Sequence, residues 1–266
     1  MTDPRIQQRR VTVARQHGRR RRRRILAGVV LAGLVASGAA VVHSSMLGAR
    51  HVRVSGASNI AASYVVATAG LKGAPPLVDL DPAAIAARVE HLPWVLTAAV
   101  KISWPSTVAI HITERIAVAA VRVAGPKSSY AICDVTGRVL EILPARPASL
   151  PVVVLPPALL SPGAPGTSLA VADRLELQVA AEMPESMLPA ITDITVTPLG
   201  AVVQLADHLT AIVGTASGLS QKFVSLATVL AHGDLSGIIG IDLRVSAAPV
   251  LIPKGSSPIV PGNLTG

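Results

Sequence analysis

The chain has 266 residues, with 24 lysines and arginines against 15 acidic residues and a formal net charge of +9. The whole excess sits in the first 24 residues, where Arg5, Arg9, Arg10, Arg15 and the run Arg19 to Arg24 face one acid, Asp3, so no basic groove is spread over a folded domain. Half the residues are hydrophobic, 15% are charged and five are aromatic, which excludes both a mostly disordered chain and a base-stacking nucleic-acid surface.

After the basic tail, residues 1–24, comes a stretch that is apolar or small from Ile25 to Val42 except at Ser37. His43, Ser44 and Ser45 bridge it to Met46 and Leu47. As a helix, residues 25–47 would be about 34 Å long, enough to cross a hydrocarbon core of about 30 Å. A cleavable signal peptide fits less well. Small residues run from Ala36 to Ala40, but the apolar run continues through Val41 and Val42. The six arginines abut the span, and only Arg50 and Arg53 follow closely, so the positive-inside rule places the N-terminus in the cytoplasm and exports the rest. The arginines set topology and can also lie on anionic head groups.

Beyond the span, His51 to Gly56 alternates as a short strand, and a helix is expected from Ala61 to Ala69, stopped by Gly70. Asp81-Pro82 supplies an N-cap and a first-turn proline to a second helix, with Ile85, Val89 and Leu92 on one face and Pro93 at its end. Ala98, Val100, Ile102 and Trp104 line one strand, Pro105 to Thr107 turn the chain, and Val108, Ile110 and Ile112 line the next. The order is β-α-α-β-β, an α+β solution with helices on one face of a small sheet.

The following stretch, Glu114 to Val123, reads as extended, Tyr130 to Cys133 as a strand, and Asp134-Val135-Thr136-Gly137 as a hairpin turn into Arg138 to Ile142. Seven prolines between Pro144 and Pro165 mark a surface connection with one strand at Val152 to Leu155. A helix is expected from Ser168 to Met183, then strands near Ile191 to Thr197, Ala201 to Leu205 and Leu209 to Val213. A helix from Leu219 to His232 ends at Gly233. The last clear strand is Ile238 to Val245, with another from Pro249 to Ile252 before a disordered Pro/Gly/Ser-rich tail, residues 253–266.

Catalytic patterns are missing at each point where they would stand. Gly214 to Gly218 departs from a nucleophile elbow, Gly163 to Ser168 lacks the lysine of a phosphate loop, and neither Ser-x-x-Lys nor His-Glu-x-x-His occurs. His51, His91, His111, His208 and His232 are scattered singly. Cys133 is the one cysteine, read as a small buried apolar residue, with no disulfide or cysteine-based zinc site. Asp81 has a capping role, and Glu114-Arg115 reads as an ion pair or hydrogen bond bracing a domain junction.

Several segments resemble, in order, the bacterial FtsQ/DivIB family of cell-division proteins: Val52-Arg53-Val54-Ser55-Gly56, Leu77 to Asp81, Leu92-Pro93-Trp94-Val95, Trp104-Pro105 and Ile110 to Val118. Cys133 to Val139 resembles the family's Asp-x-x-Gly hairpin, Leu150-Pro151-Val152 its Leu-Pro-Val segment, and Ile241-Asp242-Leu243-Arg244 its terminal strand. Ala117 stands where the family usually has proline, and the proline-rich insert is a second departure.

The resemblance implies a POTRA domain at residues 50–117 and a mainly antiparallel β domain with two or three helices at residues 118–252. It implies a non-enzymatic, single-pass divisome scaffold in the cell membrane at the septum, with no cofactor or metal. Its partners would be FtsB/FtsL-type proteins and other divisome members of the FtsK, FtsW and FtsI types. The partner strand would add at Ile241, Asp242, Leu243, Arg244, Val245, Ser246, Ala247, Ala248, Pro249 and Val250, an exposed edge whose main chain supplies affinity. The rival readings are a POTRA-containing outer-membrane assembly or secretion factor and a membrane-anchored cell-wall enzyme.

Overall fold

The computed structural model describes residues 23–38, 47–123, 129–155, 163–169 and 174–256. Residues 23–38 are helical, about 24 Å long, with apolar side chains such as Leu26, Val30 and Leu34 exposed. Among the described residues no helix is long and apolar enough to cross a membrane. Residues 39–46 of the expected span, most of the basic tail and residues 257–266 of the expected disordered tail lie outside the described residues.

The chain divides into two compact units, Met1–Val89 with Ala98–Ile112, and Glu90–Thr97 with Thr113–Gly266. The first is built around a three-stranded sheet of order β1 (His51–Ser55), β3 (Thr107–Glu114), β2 (Val95–Ser103), with α1 (Ala62–Thr68) and α2 (Pro82–Glu90) between β1 and β2 in sequence. β1 and β3 are parallel, His51 opposite Thr107 through Ser55 opposite His111. Alternation sends Val108, Ile110 and Ile112 into a core that also buries Val65, Ala69, Ile85 and Val89. The Asp81 carboxylate accepts from the Ala83 N–H at 2.9 Å, the cap expected for α2. Gly56 has φ +79°, and a Cβ there would collide with the Ile112 carbonyl.

The second unit carries a nine-stranded sheet of order β12-β11-β10-β9-β8-β7-β4-β5-β6. Its strands are β4 (Ala117–Val123), β5 (Ser129–Asp134), β6 (Val139–Leu143), β7 (Val152–Val153), β8 (Ile191–Thr197), β9 (Gly200–Leu205), β10 (Thr210–Gly214), β11 (Ile238–Asp242) and β12 (Val250–Pro253). Helices α3 (Arg174–Ala181) and α4 (Leu219–His232) contribute Leu177, Val179, Phe223 and Leu226 to a core shared with Ile194, Val203, Val213 and Ile241. A smaller cluster joins Ala120, Ile132 and Leu140 to Trp94, Tyr130 and Leu150. Since α4 connects β10 to β11 as a crossover, those strands pair in parallel, whereas the short turn at Pro198-Leu199 makes β8 and β9 antiparallel.

Two elements differ from the sequence expectation. The described part of the third long helix begins at Arg174 instead of Ser168, because residues 167–169, after a turn at Gly166, run along the hairpin. There Gly166 donates to Val139 O, Val139 to Thr167 O and Leu169 to Gly137 O, each at 2.8 Å. The strand expected through Val245 stops at Asp242, while the second strand, expected from Pro249 to Ile252, is Val250–Pro253 and runs antiparallel beside it.

Lys222 is buried on α4, and its ammonium donates to Val213 O at 2.8 Å and Thr215 O at 2.9 Å. Burial lowers its pKa below the usual lysine value. Lys222→Met keeps the stem but orphans two carbonyls, so a loss of about 2 kcal/mol in denaturant-unfolding stability is expected.

Candidate protein-docking edge

A sheet of nine strands has two free edges, β6 and β12, and the chain treats them differently. At β6 the insert covers both backbone groups of Val139, a bulge interrupts pairing near Cys133, and exposed Glu141 faces solvent. Coverage, bulges and charge are the usual ways of blunting an edge. β12 pairs with β11 alone among the described residues, with Gly240 opposite Ile252, Ile241 opposite Leu251 and Asp242 opposite Val250.

Alternation then fixes which backbone groups of β12 face outward. Leu243 donates to Ile212 O on β10 at 2.8 Å, so Ile241, two residues earlier, also turns its N–H toward β10. Lys254 donates to Gly237 O at 2.7 Å, so Ile252 and Val250 point toward β11. The outward positions are therefore Pro249, Leu251 and Pro253, and two of these have no N–H. The open edge offers one donor, the Leu251 N–H, with the Pro249 and Leu251 carbonyls, the Pro253 carbonyl being engaged by the Ser256 N–H at 3.1 Å. Val250 and Leu251 are exposed there, as are Val245 and Ile239 nearby.

Of the ten residues anticipated from sequence, Ile241 and Asp242 lie in β11, which is paired on both sides. Leu243 to Pro249 form the connection, and Val250 alone begins the edge strand. Ile241 and Leu243 are buried in the core. The Arg244 guanidinium is held by Asp242, Nη2 to Oδ2 at 2.6 Å and Nε to both carboxylate oxygens, with the Arg244 N–H donating to Oδ1 at 3.0 Å. Burial alone would raise the Asp242 carboxyl, but the bonds and charge of Arg244 outweigh it and hold it below the usual range. Ser225 Oγ donates to Ser246 O at 2.7 Å, tying the connection to α4, and Ala248 donates to Val245 O at 3.2 Å. A cleft of about 320 Å³ lies between Asp242, Arg244, Val245, Ala248 and Val250. Sequence reasoning missed Leu251, Ile252 and Pro253 as edge residues. The signal was the spacing of Pro249 and Pro253 around Leu251, since proline is confined to the outward positions of edge strands.

A second polar centre fixes the hairpin of β5 and β6. The buried Asp134 carboxylate accepts from Thr136 N at 2.9 Å, Thr136 Oγ1 at 2.7 Å, Arg138 N at 2.9 Å and Arg115 Nη1 at 2.7 Å. Arg115 also donates from Nε to Val95 O at 3.0 Å and from its backbone N–H to Trp94 O at 2.8 Å. The arginine expected to brace through Glu114-Arg115 thus pairs with Asp134, and every partner lies in the second unit. Gly137 closes the turn at φ +83°, its N–H on Asp134 O at 3.0 Å. Burial alone would raise the Asp134 carboxyl, but bonds from Thr136, Arg115 and Arg138 and the Arg115 charge bring it below the usual range.

Beside it, Cys133 is buried and its Sγ donates to Ala131 O at 3.6 Å. Burial, helped by the Asp134 charge, pushes its thiol pKa up to about 12. A maleimide should therefore label it in the folded chain at least about a hundredfold more slowly than in denaturant, a ratio readable by intact mass spectrometry. Among the described residues no three His, Cys, Asp or Glu side chains are grouped to hold a metal.

A family profile described as the POTRA domain, FtsQ-type, matches residues 47–115. The chain is similar to a cell division protein FtsQ of Mycolicibacterium smegmatis, 30% identical over 201 residues that cover 74% of this chain and 56% of that protein. It is also similar to a cell division protein FtsQ of Streptomyces collinus, 31% identical over 180 residues, 65% of this chain and 67% of the relative. The match thus spans between just over half and two thirds of these relatives' length. The major extracytoplasmic domain of the trans isomer of the cell division protein DivIB from Geobacillus stearothermophilus aligns at 20% identity, over 45% of this chain and 93% of that one. Its TM-score of 0.31 is too low to establish a shared fold.

Proposed function

The chain belongs to the FtsQ/DivIB family of bacterial cell-division proteins, and from that premise we propose that it is a non-enzymatic scaffold anchored by one membrane span and recruiting its partner by strand addition at β12. The arginine tail lies in the cytoplasm, residues 25–47 cross the cell membrane, and a POTRA domain at 50–117 and a β domain at 118–252 stand outside it at the septum. The partner is of the FtsB/FtsL type and pairs with the outward face of the last strand. Other divisome members of the FtsK, FtsW and FtsI types bind elsewhere on the chain.

The observation that carries this reading is the coverage of the two edges. The insert covers β6, while β12, though bulged against β11 and flanked by Pro249 and Pro253, keeps one outward donor at Leu251 beside exposed Val250. An added strand would satisfy that donor and bury those side chains in one step, which is how β-augmentation combines main-chain affinity with side-chain selectivity. Arg244, already engaged by Asp242, is not available as a free charged contact, so recognition there is mainly backbone and apolar.

The full-length tagged chain, solubilised from membranes of dividing cells, is expected to co-purify an FtsB/FtsL-type pair in near-stoichiometric amount. Recovery of the folded chain without that pair would count against the reading, and release of peptidoglycan fragments by the purified chain would refute a purely non-enzymatic role.

A further inference from the structure

We propose that Trp104, with the cationic residues around it, forms a membrane-contacting rim that rests the sheet end of the first unit on phospholipid head groups. This rests on the single-span reading above, because the anchor is what brings the rim to the bilayer.

The first observation is that no slack separates the expected span from the folded unit. The span ends at Leu47, yet Gly48 already bridges to Pro76 and the Ala49 N–H donates to Pro75 O at 2.9 Å. Gly48 is pressed so closely on the Ala74 carbonyl that a Cβ would collide with it, so it is a packed part of the unit. His51 N–H donates to Ser106 O at 3.0 Å. Fully extended, the four residues from Leu47 to His51 reach at most about 14 Å, and here they are folded down.

The second observation is which end of the sheet the chain enters. Because β1 and β3 are parallel with His51 opposite Thr107, the Trp104-Pro105-Ser106 turn that leads into β3 lies beside the first residue of β1. The turn is therefore held at the membrane-proximal end. There Trp104 is 58% exposed and Pro105 is exposed beside it, whereas the other tryptophan, Trp94, packs against the smaller core cluster. A half-covered indole, apolar in body with one N–H donor, suits the boundary between acyl chains and head groups.

The third observation is charge. The segments that meet at this end, residues 47–54, 71–76 and 101–107, contain Arg50, Arg53, Lys72 and Lys101 and not one aspartate or glutamate. Arg50 and Lys72 are exposed. A cationic collar around an exposed indole, with Asp79 as the nearest acid in sequence beyond these segments, complements phosphate-bearing lipid, and its attraction falls off within a Debye length of about 8 Å at physiological salt, a distance the short junction enforces.

The test uses the full chain in nanodiscs of phosphatidylglycerol and phosphatidylcholine, with and without lipids carrying a nitroxide near the head group. Fluorescence of the wild-type chain minus that of Trp104→Phe isolates Trp104, and the Trp104→Phe chain reports Trp94 as an internal control. Trp104 emission should be blue-shifted and quenched at least about twofold by the nitroxide, with Trp94 unaffected. The double charge reversal Lys72→Glu, Lys101→Glu should reduce the quenching while circular dichroism stays unchanged. If the chain co-migrates with the discs but Trp104 emits as in water and escapes quenching, the rim is refuted and the anchor stands. If the chain does not co-migrate with the discs at all, the anchor fails and the rim with it.

Discussion

Replacing Leu251 with proline should weaken capture of the FtsB/FtsL-type partner by about thirtyfold while leaving the free protein folded. Leu251 is the only outward donor on β12, lying between Pro249 and Pro253. Removing it leaves a partner carbonyl desolvated without a mate, a loss of about 2 kcal/mol, and each 1.4 kcal/mol is tenfold in affinity. The β11–β12 ladder is spared because its donors on β12 are Val250 and Ile252. Ile252→Pro is the contrasting variant, which removes a ladder bond and should lower stability itself by about 3 kcal/mol. Leu243→Pro is unsuitable as a test of docking, since that N–H already bonds Ile212 O inside the sheet. Titration of immobilised full-length chain with the partner, read by surface plasmon resonance, separates the cases. Equal affinity for wild type and Leu251→Pro would refute strand addition at β12.

The second large effect concerns Asp134. Four donors converge on this carboxylate and its pair with Arg115 is nearly buried, so Asp134→Ala leaves a guanidinium and two backbone N–H groups without their acceptor. Removing one member of a buried pair typically costs about 3–5 kcal/mol, and a loss of about 3 kcal/mol is expected in urea unfolding. The pH dependence follows from the direction of the shift. The folded-state pKa lies below its ordinary 3.8, so the carboxylate's contribution is fully present above that value and is lost as pH falls through the lower folded value. Unfolding followed from pH 7 to pH 2 should show the stabilities of wild type and Asp134→Ala converging at the acid end. A constant difference would mean that the loss comes from packing and not from the charge.

Much of this was legible in the sequence because local patterns were strong. Alternation in Val108, Ile110 and Ile112, the Asp81-Pro82 helix start and the Leu219 to His232 periodicity each correspond to an observed element. What local reading could not supply was pairing. The break between the last two strands was expected after Val245, but its start at Leu243 was not, because the turn is made by the Asp242–Arg244 pair and the Ser225 bond to Ser246, contacts visible only once folded. The residues expected to form the last strand therefore fall mostly in β11 and its connection, with Val250 alone in β12. The same limit applies to Arg115, whose partner Asp134 is remote in sequence, and to Ser168 and Leu169, expected as the start of a helix but lying along the strand edge they cover.

Amide hydrogen exchange at Leu251, measured on the full-length chain with and without the FtsB/FtsL-type partner, tests strand addition at its source. Partner binding should slow that one amide at least about tenfold, with smaller changes at Val250 and Ile252, whose donors are already engaged by β11. A partner that binds tightly while the Leu251 amide keeps its free exchange rate would show that recognition runs through another surface.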